Sequence, residues 1–438
     1  MKQVYVDSTD WCEEAKIDTQ KLINLIEVSN NQSKFSYTDN LCEADLIIYR
    51  ACGHLQILED KSIRDITELL RLKKRKARLL VWGCLSKINP DSLKAVYYGP
   101  LIGPEEAWDF FCSYFSLPKK KINEIYANTL NRSYISKKLD NEQKSKIKKR
   151  TIKGKIFNLV DSQRGRLHAR ARILQNLWYI KIVIGCKNNC TYCSDKLAFN
   201  SVKSIPIKKI IKQFELGLRR GYKYFYLEGR DLGSYGYDTG STLADLIDQM
   251  IERHPNIDYK IFLNNLSPNS LVDLYPRLER ALASKKIFHL GSHIQSGSNR
   301  VLKLMGKKIS LNRWVEVVKE IQKKYPKIQL ATSFMVGFPS ETNEDFSKTV
   351  NLMHYVLFDR ISLYKYSERP NLPSLRIKNR ISESIKNKRY NRIKLQITIC
   401  RIKKQMRNHP FLTLYLLNLF IELVIARLNV STEDTSPL

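Results

Sequence analysis

The chain has 438 residues, 43% hydrophobic and 27% charged, with 17 Gly and 14 Pro. That is room for about three domains and excludes disordered, collagen-like and low-complexity classes. Lys and Arg number 75 against 43 Asp and Glu, a formal charge of +32 that inclines the surface towards polyanions or acidic substrates. Met1 to Val6 runs straight into a strand-like stretch without a secretory leader pattern, so the expected location is cytoplasmic, with thiols kept reduced. Nine cysteines, an odd number in a chain of this size, then favour metal binding or catalysis over disulfides.

The first hundred residues alternate short apolar runs with amphipathic ones: Gln3–Val6, Asp18–Val28, Leu46–Tyr49, Asp60–Leu72 and Leu79–Trp82. Strand, helix, strand, helix, strand predicts a doubly wound parallel sheet over residues 1–118, with ligands beyond the carboxyl ends of its strands. Residues 119–155 hold thirteen bases and three acids, and 119–172 reads as a basic linker. A second βα series follows over 173–375. Its strands are Leu177–Ile184, Tyr224–Glu228, Tyr259–Asn264, Phe288–Gly291, Gln329–Val336 and Ile361–Tyr366, with helices such as Ile207–Arg220, Leu243–Arg253, Leu311–Lys324 and Asn343–Leu357. Six repeats predict a partial (βα)6-type barrel whose strand ends share one opening. Residues 376–438 read as a helical extension. Its first part, 376–407, has twelve bases against Glu383 alone, so with the linker stretch it carries about two-thirds of the excess charge. The apolar run Phe411–Leu428, broken by Asn418 and Glu422, is short for a bilayer and reads as a packed or self-associating helix rather than a membrane span.

Cys186, Cys190 and Cys193 form a C-x3-C-x2-C run directly after a strand. Three thiolates at this spacing can ligate three irons of a cubic cluster and leave the fourth open to a small molecule; zinc spacing would come in complete pairs. Cys12, Cys52 and Cys84 each follow the carboxyl end of a predicted parallel strand. Such loops open on one edge of a sheet, so this trio can meet and bind a second cluster. Cys42, Cys112 and Cys400 read as small buried hydrophobes.

The loop Gly185–Cys193 resembles the cluster loop of the radical S-adenosylmethionine (SAM) superfamily, in which an aromatic, here Tyr192, lies beside the bound adenosine. Preceded by an α/β domain with three spread cysteines, it is similar to the methylthiotransferases of that superfamily, of the tRNA 2-methylthioadenosine synthase and ribosomal-protein types. Tyr226–Gly236, Ile294–Met305, Val336–Thr342 and Tyr366–Pro370 resemble further segments of that family, extending the likeness from about residue 2 to 375. Within these segments Gln295, Ser296, Gly297 and Gly337 are candidates to contact SAM: the glycines permit close approach and the polar side chains can donate to ribose or carboxylate oxygens. Glu341 is expected to cap the following helix or orient the cofactor, and Arg300 to form a structural ion pair.

The resemblance implies an α/β fold with a radical SAM barrel, two 4Fe-4S clusters and SAM, a flavodoxin- or ferredoxin-like electron donor, and replacement of an unreactive C–H bond by C–S–CH3. The cluster on Cys186, Cys190 and Cys193 would generate a 5′-deoxyadenosyl radical, and Cys12, Cys52 and Cys84 would hold the cluster that carries the sulfur. Clustered positive charge favours a tRNA adenosine as substrate. A protein or peptide side chain is the alternative, as is a second cluster serving only electron transfer or substrate binding. Several positions depart from the family: Trp11 and Ala15 around the first cysteine, Arg50-Ala51 before the second, Ser340 in place of Gly, and no pattern of the usual small C-terminal β-barrel.

Overall fold

The computed structural model describes residues 1–9, 12–29, 34–118, 125, 127 and 177–408. Five strands, β1 (Lys2–Ser8), β2 (Phe35–Tyr37), β3 (Leu46–Arg50), β4 (Arg78–Trp82) and β5 (Leu101–Ile102), form a wholly parallel sheet in the order β2-β1-β3-β4-β5. The chain winds one way from β1 and the other way from β3, which puts the switch point between their carboxyl ends. Helices α1 (Glu13–Ser29), α2 (Gln56–Leu72) and the short α3 (Leu85–Ile88) and α4 (Pro90–Lys94) lie between the strands, and α5 (Ala107–Tyr114) follows the last. Val4, Leu22, Ile26, Ile48 and Phe111 form the core on one face, and Ile47, Tyr49, Ile66, Leu69 and Val81 that on the other. Burial on both faces is why β3 reads as an unbroken apolar run.

The second sheet has six parallel strands placed in chain order: β6 (Leu177–Lys181), β9 (Tyr224–Glu228), β10 (Lys260–Leu266), β11 (Ile287–Ser292), β12 (Gln329–Val336) and β13 (Arg360–Lys365). Trp178, Ile180, Phe225 and Leu227 pack with the crossover helices, while the alternating Leu177, Tyr179 and Tyr226 join Phe262 on the opposite face. The crossover helices are α6 (Asp195–Ala198), α7 (Ile207–Arg219), α8 (Leu243–Arg253), α9 (Pro268–Ala283), α10 (Asn299–Leu304), α11 (Leu311–Lys324) and α12 (Asn343–Tyr355). Two of them start with a reciprocal cap, Thr242 with Asp245 and Thr342 with Asp345, which fixes where each strand-end loop stops.

The fold is thus the expected α/β class, with local differences. The run expected as one strand over Leu177–Ile184 breaks at Ile182, whose N–H donates to the Glu228 carbonyl (2.9 Å) and whose carbonyl accepts from Ile205 (2.8 Å). Beyond it β7 (Val183–Ile184) pairs antiparallel with β8 (Lys203–Ser204). Strands β2 and β5 are three and two residues long, too short to leave a period in the sequence. The basic stretch after residue 376 forms helix α13 (Glu383–Asn408). The linker over 119–172, except Ile125 and Ala127, and the apolar run Phe411–Leu428 lie outside the described residues. Among the described residues no helix is long and apolar enough to cross a membrane.

Helix α13 is bound to the barrel by its inner face. Ile393, Ile397 and Cys400 join the main core, and buried Arg389 donates to the Glu341 carboxylate (2.7 Å), the Glu341 carbonyl (3.1 Å) and Asn343 (2.9 Å). Removing one partner of such a buried pair leaves the other charge without compensation. Arg389→Met should therefore destabilise the barrel by about 3–5 kcal/mol, read as a lowered denaturant midpoint. A loss below about 1 kcal/mol would mean that α13 is not anchored through this pair.

Candidate active site: six thiols around one cavity

Cys12 follows β1, Cys52 follows β3 and Cys84 follows β4; Cys186, Cys190 and Cys193 lie in the loop between β7 and α6. All six line a single cavity of about 870 Å³ that opens between the carboxyl edges of the two sheets and runs along the inner face of the second, past Tyr179 and Phe262 to Gln329 and Arg360. Among the described residues no three His, Cys, Asp or Glu side chains close on a point fit for a single metal ion. Thiolates of one cubane each take a different iron and so stand further apart. Cys42 is exposed, whereas Cys112 and Cys400 are buried in apolar cores, away from the cavity.

The loop of the later trio is fixed from several sides. Asn188 donates to the Cys186 sulfur from its N–H and its Nδ2 (both 3.4 Å), and its Nδ2 also reaches Asp231 (2.8 Å). Asp231 accepts in addition from Gly233 N–H, Ser234 Oγ, and both N–H and Oγ of Ser267. Thr191 ties the loop to the end of α10 through the Leu304 and Met305 carbonyls. Gly306, at φ +73°, lets that segment approach: a Cβ there would stand 2.6 Å from the Asn189 carbonyl.

Of the candidate SAM contacts, Tyr192 and Gln295 line the cavity. Gln295 sits at φ +77°, donates to Ser333 Oγ (2.8 Å), and leaves its buried Oε1 without a partner. The structure puts Ser296, Gly297 and Gly337 elsewhere. Ser296 is fully buried against Thr349 and the Ser298 N–H; a Cβ on Gly297 would strike the Lys348 carbonyl at 2.6 Å; and Gly337, at φ +74°, lies beneath Lys386. These three shape the turns behind the site. Glu341 neither caps a helix nor reaches the cavity. Its carboxylate accepts from Gly337 N–H (2.8 Å) and Arg389, and Thr342 is the cap. Arg300 pairs with Asp345 as expected.

Sequence reasoning missed a buried charge network between the two trios. Arg230, just past β9, forms an ion pair with Glu14 (2.6 Å), donates to Asp195 (3.4 Å), and its guanidinium stands 3.7 Å from the Cys84 sulfur. Lys181 bonds Glu14 (3.2 Å) and Asp18 (2.8 Å), Asp18 accepts from Arg50 (3.2 Å), and His54 Nδ1 lies 3.4 Å from Asp195. The signal was present in the positions: Glu14, His54 and Asp195 each stand two residues past a cysteine.

Burial pushes the Cys52 thiol up to about 11 and Cys84 to about 12, the latter against the pull of Arg230 and Arg50. Burial also acts on Glu14, but the cations Arg230, Lys181 and Arg50 outweigh it and hold its carboxyl at about 2. At Glu228 the pull of Lys181 and Arg230 is outweighed instead. Burial, reinforced by the neighbouring Glu14 charge, raises it to about 8, and its Oε2 is without a partner at the cavity wall.

Two family models match the chain: the Radical SAM superfamily over residues 180–353, and Uncharacterized protein family UPF0004 over residues 5–99. The chain is 29% identical to threonylcarbamoyladenosine tRNA methylthiotransferase MtaB of Thermotoga maritima over 79% of its length and 72% of that protein's. It is 25% identical to ribosomal protein uS12 methylthiotransferase RimO of Protochlamydia amoebophila over 90% of its length and 76% of that protein's. The chain belongs to the radical SAM methylthiotransferase family. It is accordingly an enzyme of that class, working with a 4Fe-4S cluster and SAM. The fold of the radical SAM methyltransferase TsrM from Kitasatospora setae matches with a TM-score of 0.54 at 12% identity, over 85% of this chain and 75% of that one.

The raised Glu228 carboxyl makes stability pH-dependent in a stated direction. From about 4.5, where an exposed Glu ionises, up to about 8, the unfolded chain loses this proton while the native chain keeps it. Native stability therefore falls across that window and levels off above it. Glu228→Gln should remove this part of the decline and raise the unfolding midpoint at pH 8 relative to wild type. Parallel pH profiles for the two proteins would refute the assignment.

Proposed function

We propose that the chain inserts a methylthio group into an adenosine of tRNA, with Cys186, Cys190 and Cys193 holding the SAM-binding cluster and Cys12, Cys52 and Cys84 holding a second, sulfur-bearing one. The observation that carries this reading is that all six thiols line one cavity. Sulfur donors grouped in threes on strand-end loops suit, as thiolates, two cubanes, each with one iron open to a further ligand. The unpartnered Oε1 of Gln295 and the ring of Tyr192 suit a nucleoside-like cofactor on the barrel side. When bound, these groups supply a carbon-centred radical that removes a substrate hydrogen and a sulfur that takes its place. The chain's own residues orient and enclose. The Asp231 cradle fixes the later loop, Tyr179, Tyr226 and Phe262 wall the cavity with apolar surface, and the junction charges hold the two loops opposite each other.

The tRNA preference rests on charge and on relatives. Exposed Arg360 and Lys365 line the cavity, and the outer face of α13 carries exposed Lys388 and Arg392 one turn apart. Phosphate is the dominant attraction for such a surface. The Thermotoga maritima relative is named for a tRNA nucleoside. The name of the Protochlamydia amoebophila relative supports a protein side chain as the second reading. A flavodoxin- or ferredoxin-like protein is proposed as electron donor.

Anaerobic reconstitution should load about eight irons per chain, falling to about four in the Cys12→Ala, Cys52→Ala, Cys84→Ala variant. A wild type holding only four removes the sulfur carrier. For the substrate, Lys388→Gln with Arg392→Gln should weaken tRNA binding and flatten its logarithmic salt dependence by about two, one for each phosphate no longer neutralised. An unchanged slope, together with methylthiolation of a ribosomal protein but not of tRNA, would favour the second reading.

A further inference from the structure

We infer that Arg230 is a positioning residue that sets the separation and mutual orientation of the two thiol trios and tunes the potential of the early one; this rests on the two-cluster reading above. Arg230 belongs to the barrel, just past β9, yet it reaches Glu14 and Cys84 of the first domain as well as Asp195 and Phe199 of its own. One guanidinium nitrogen reaches Glu14, two residues past Cys12, and the sulfur of Cys84 itself; the other reaches Asp195, two residues past Cys193. Asp195 in turn faces His54, two residues past Cys52. Each early thiol and the loop of the later trio are thus tied to one planar cation within a few bonds. The ring of Phe199, 5.0 Å from the guanidinium carbon, covers it from one side.

A planar guanidinium offers a rigid fork, so it fixes direction as well as charge, which an ammonium at the same point cannot do. Its Nε is buried without a partner, so the polar contacts that hold the side chain are those of the two terminal nitrogens. The contact also has an electrostatic consequence. A cation at 3.7 Å from one ligating sulfur favours the more negative, reduced state of whatever cluster that sulfur holds.

The test uses the full chain, reconstituted anaerobically, as wild type, Arg230→Gln and Arg230→Lys. Iron content reports whether each variant still assembles its sites. The potential of the early-trio cluster is measured in a background lacking Cys186, Cys190 and Cys193. Magnetic coupling between the two reduced clusters is measured in the intact background, as is methylthiolated product per 5′-deoxyadenosine. Arg230→Gln should shift the potential to more negative values, change the coupling and lower the product ratio at least tenfold. Arg230→Lys should recover the potential but not the coupling, because it returns the charge without the fork, and it also serves if the Gln variant fails to fold. A structural prop alone would lower iron content without moving the potential. Wild type with eight irons and Arg230 variants with wild-type potential and coupling would overturn the inference alone. Wild type with four irons would overturn the reading beneath it as well.

Discussion

Every ladder in the two large sheets is parallel, and the site follows from that constraint. A parallel pair cannot be closed by a tight turn, so the chain must cross back over the sheet, and each loop leaving a carboxyl end lies on the same edge as the others. In the first sheet those loops carry Cys12, Cys52 and Cys84, separated by dozens of residues in sequence and by one or two strands in space. In the second sheet the corresponding edge carries the loop of Cys186, Cys190 and Cys193 together with Arg230 and Gln295. Bringing the two edges face to face creates a cavity that continues along the inner face of the second sheet, so the thiols are held by rigid scaffolds rather than by each other.

The junction itself is charged, which needs explaining, since burying ions is costly unless each is paired. Here the pairing is nearly complete: Arg230, Lys181 and Arg50 stand against Glu14, Asp18 and Asp195. Apolar side chains also meet at the junction, where Cys84, Ile88, Ala198 and Phe199 form a small separate cluster. An apolar seam would bind the domains as well or better, but it would bring no positive charge to the thiols. Deprotonated cysteines around a cluster are net anionic, and at an effective dielectric of about 20 a cation 4 Å away is worth about 4 kcal/mol to such a group. Cations at the seam therefore join the domains and compensate the sulfur ligands with the same atoms. Metal-free Cys52 and Cys84, whose thiols burial pushes up, must release protons as metal binds, and the nearby guanidinium groups lower the cost of that release.

The parts of this arrangement that could be read from the sequence are those written in local spacing. The C-x3-C-x2-C run and the repeated placement of a cysteine just past an apolar run each depend on a few neighbouring residues and on the direction of one strand. What could not be read depends on the meeting of distant segments. Glu14 and Arg230 are 216 positions apart, and nothing local to either marks the other. The same applies to the glycines. Gly297 and Gly337 are required because a carbonyl and a lysine stem approach them from behind, not because a ligand approaches from the front, and the sequence distinguishes presence of glycine but not the side from which it is crowded. Strand β6 stops early for a related reason: Ile182 has the right character for a strand, but the Glu228 carbonyl is its last ladder partner, and the following residues turn to pair with Lys203–Ser204.

Helix α13 shows how one sequence feature serves two faces. Its composition is so basic that it reads as surface, yet Lys386 and Arg389 are buried, one lying over Gly337 and Tyr366 and the other in the Glu341 pair. The lysine stem replaces the apolar side chain that would otherwise cover the turn, and this burial of a methylene stem is the usual way a long cation contributes packing. The turn beneath, Val336–Thr342, follows β12 and leads into α12, so the helix braces the end of a strand whose Ser333 and Met335 line the cavity. Lys365, also at the cavity wall, donates to Asn387 (3.0 Å) on the same helix. A change in how α13 sits would thus reach the cavity through Lys365 and through the Gly337 turn together, while its outer bases remain open to solvent or phosphate. Attachment to the site and exposure of charge are properties of opposite faces of one helix.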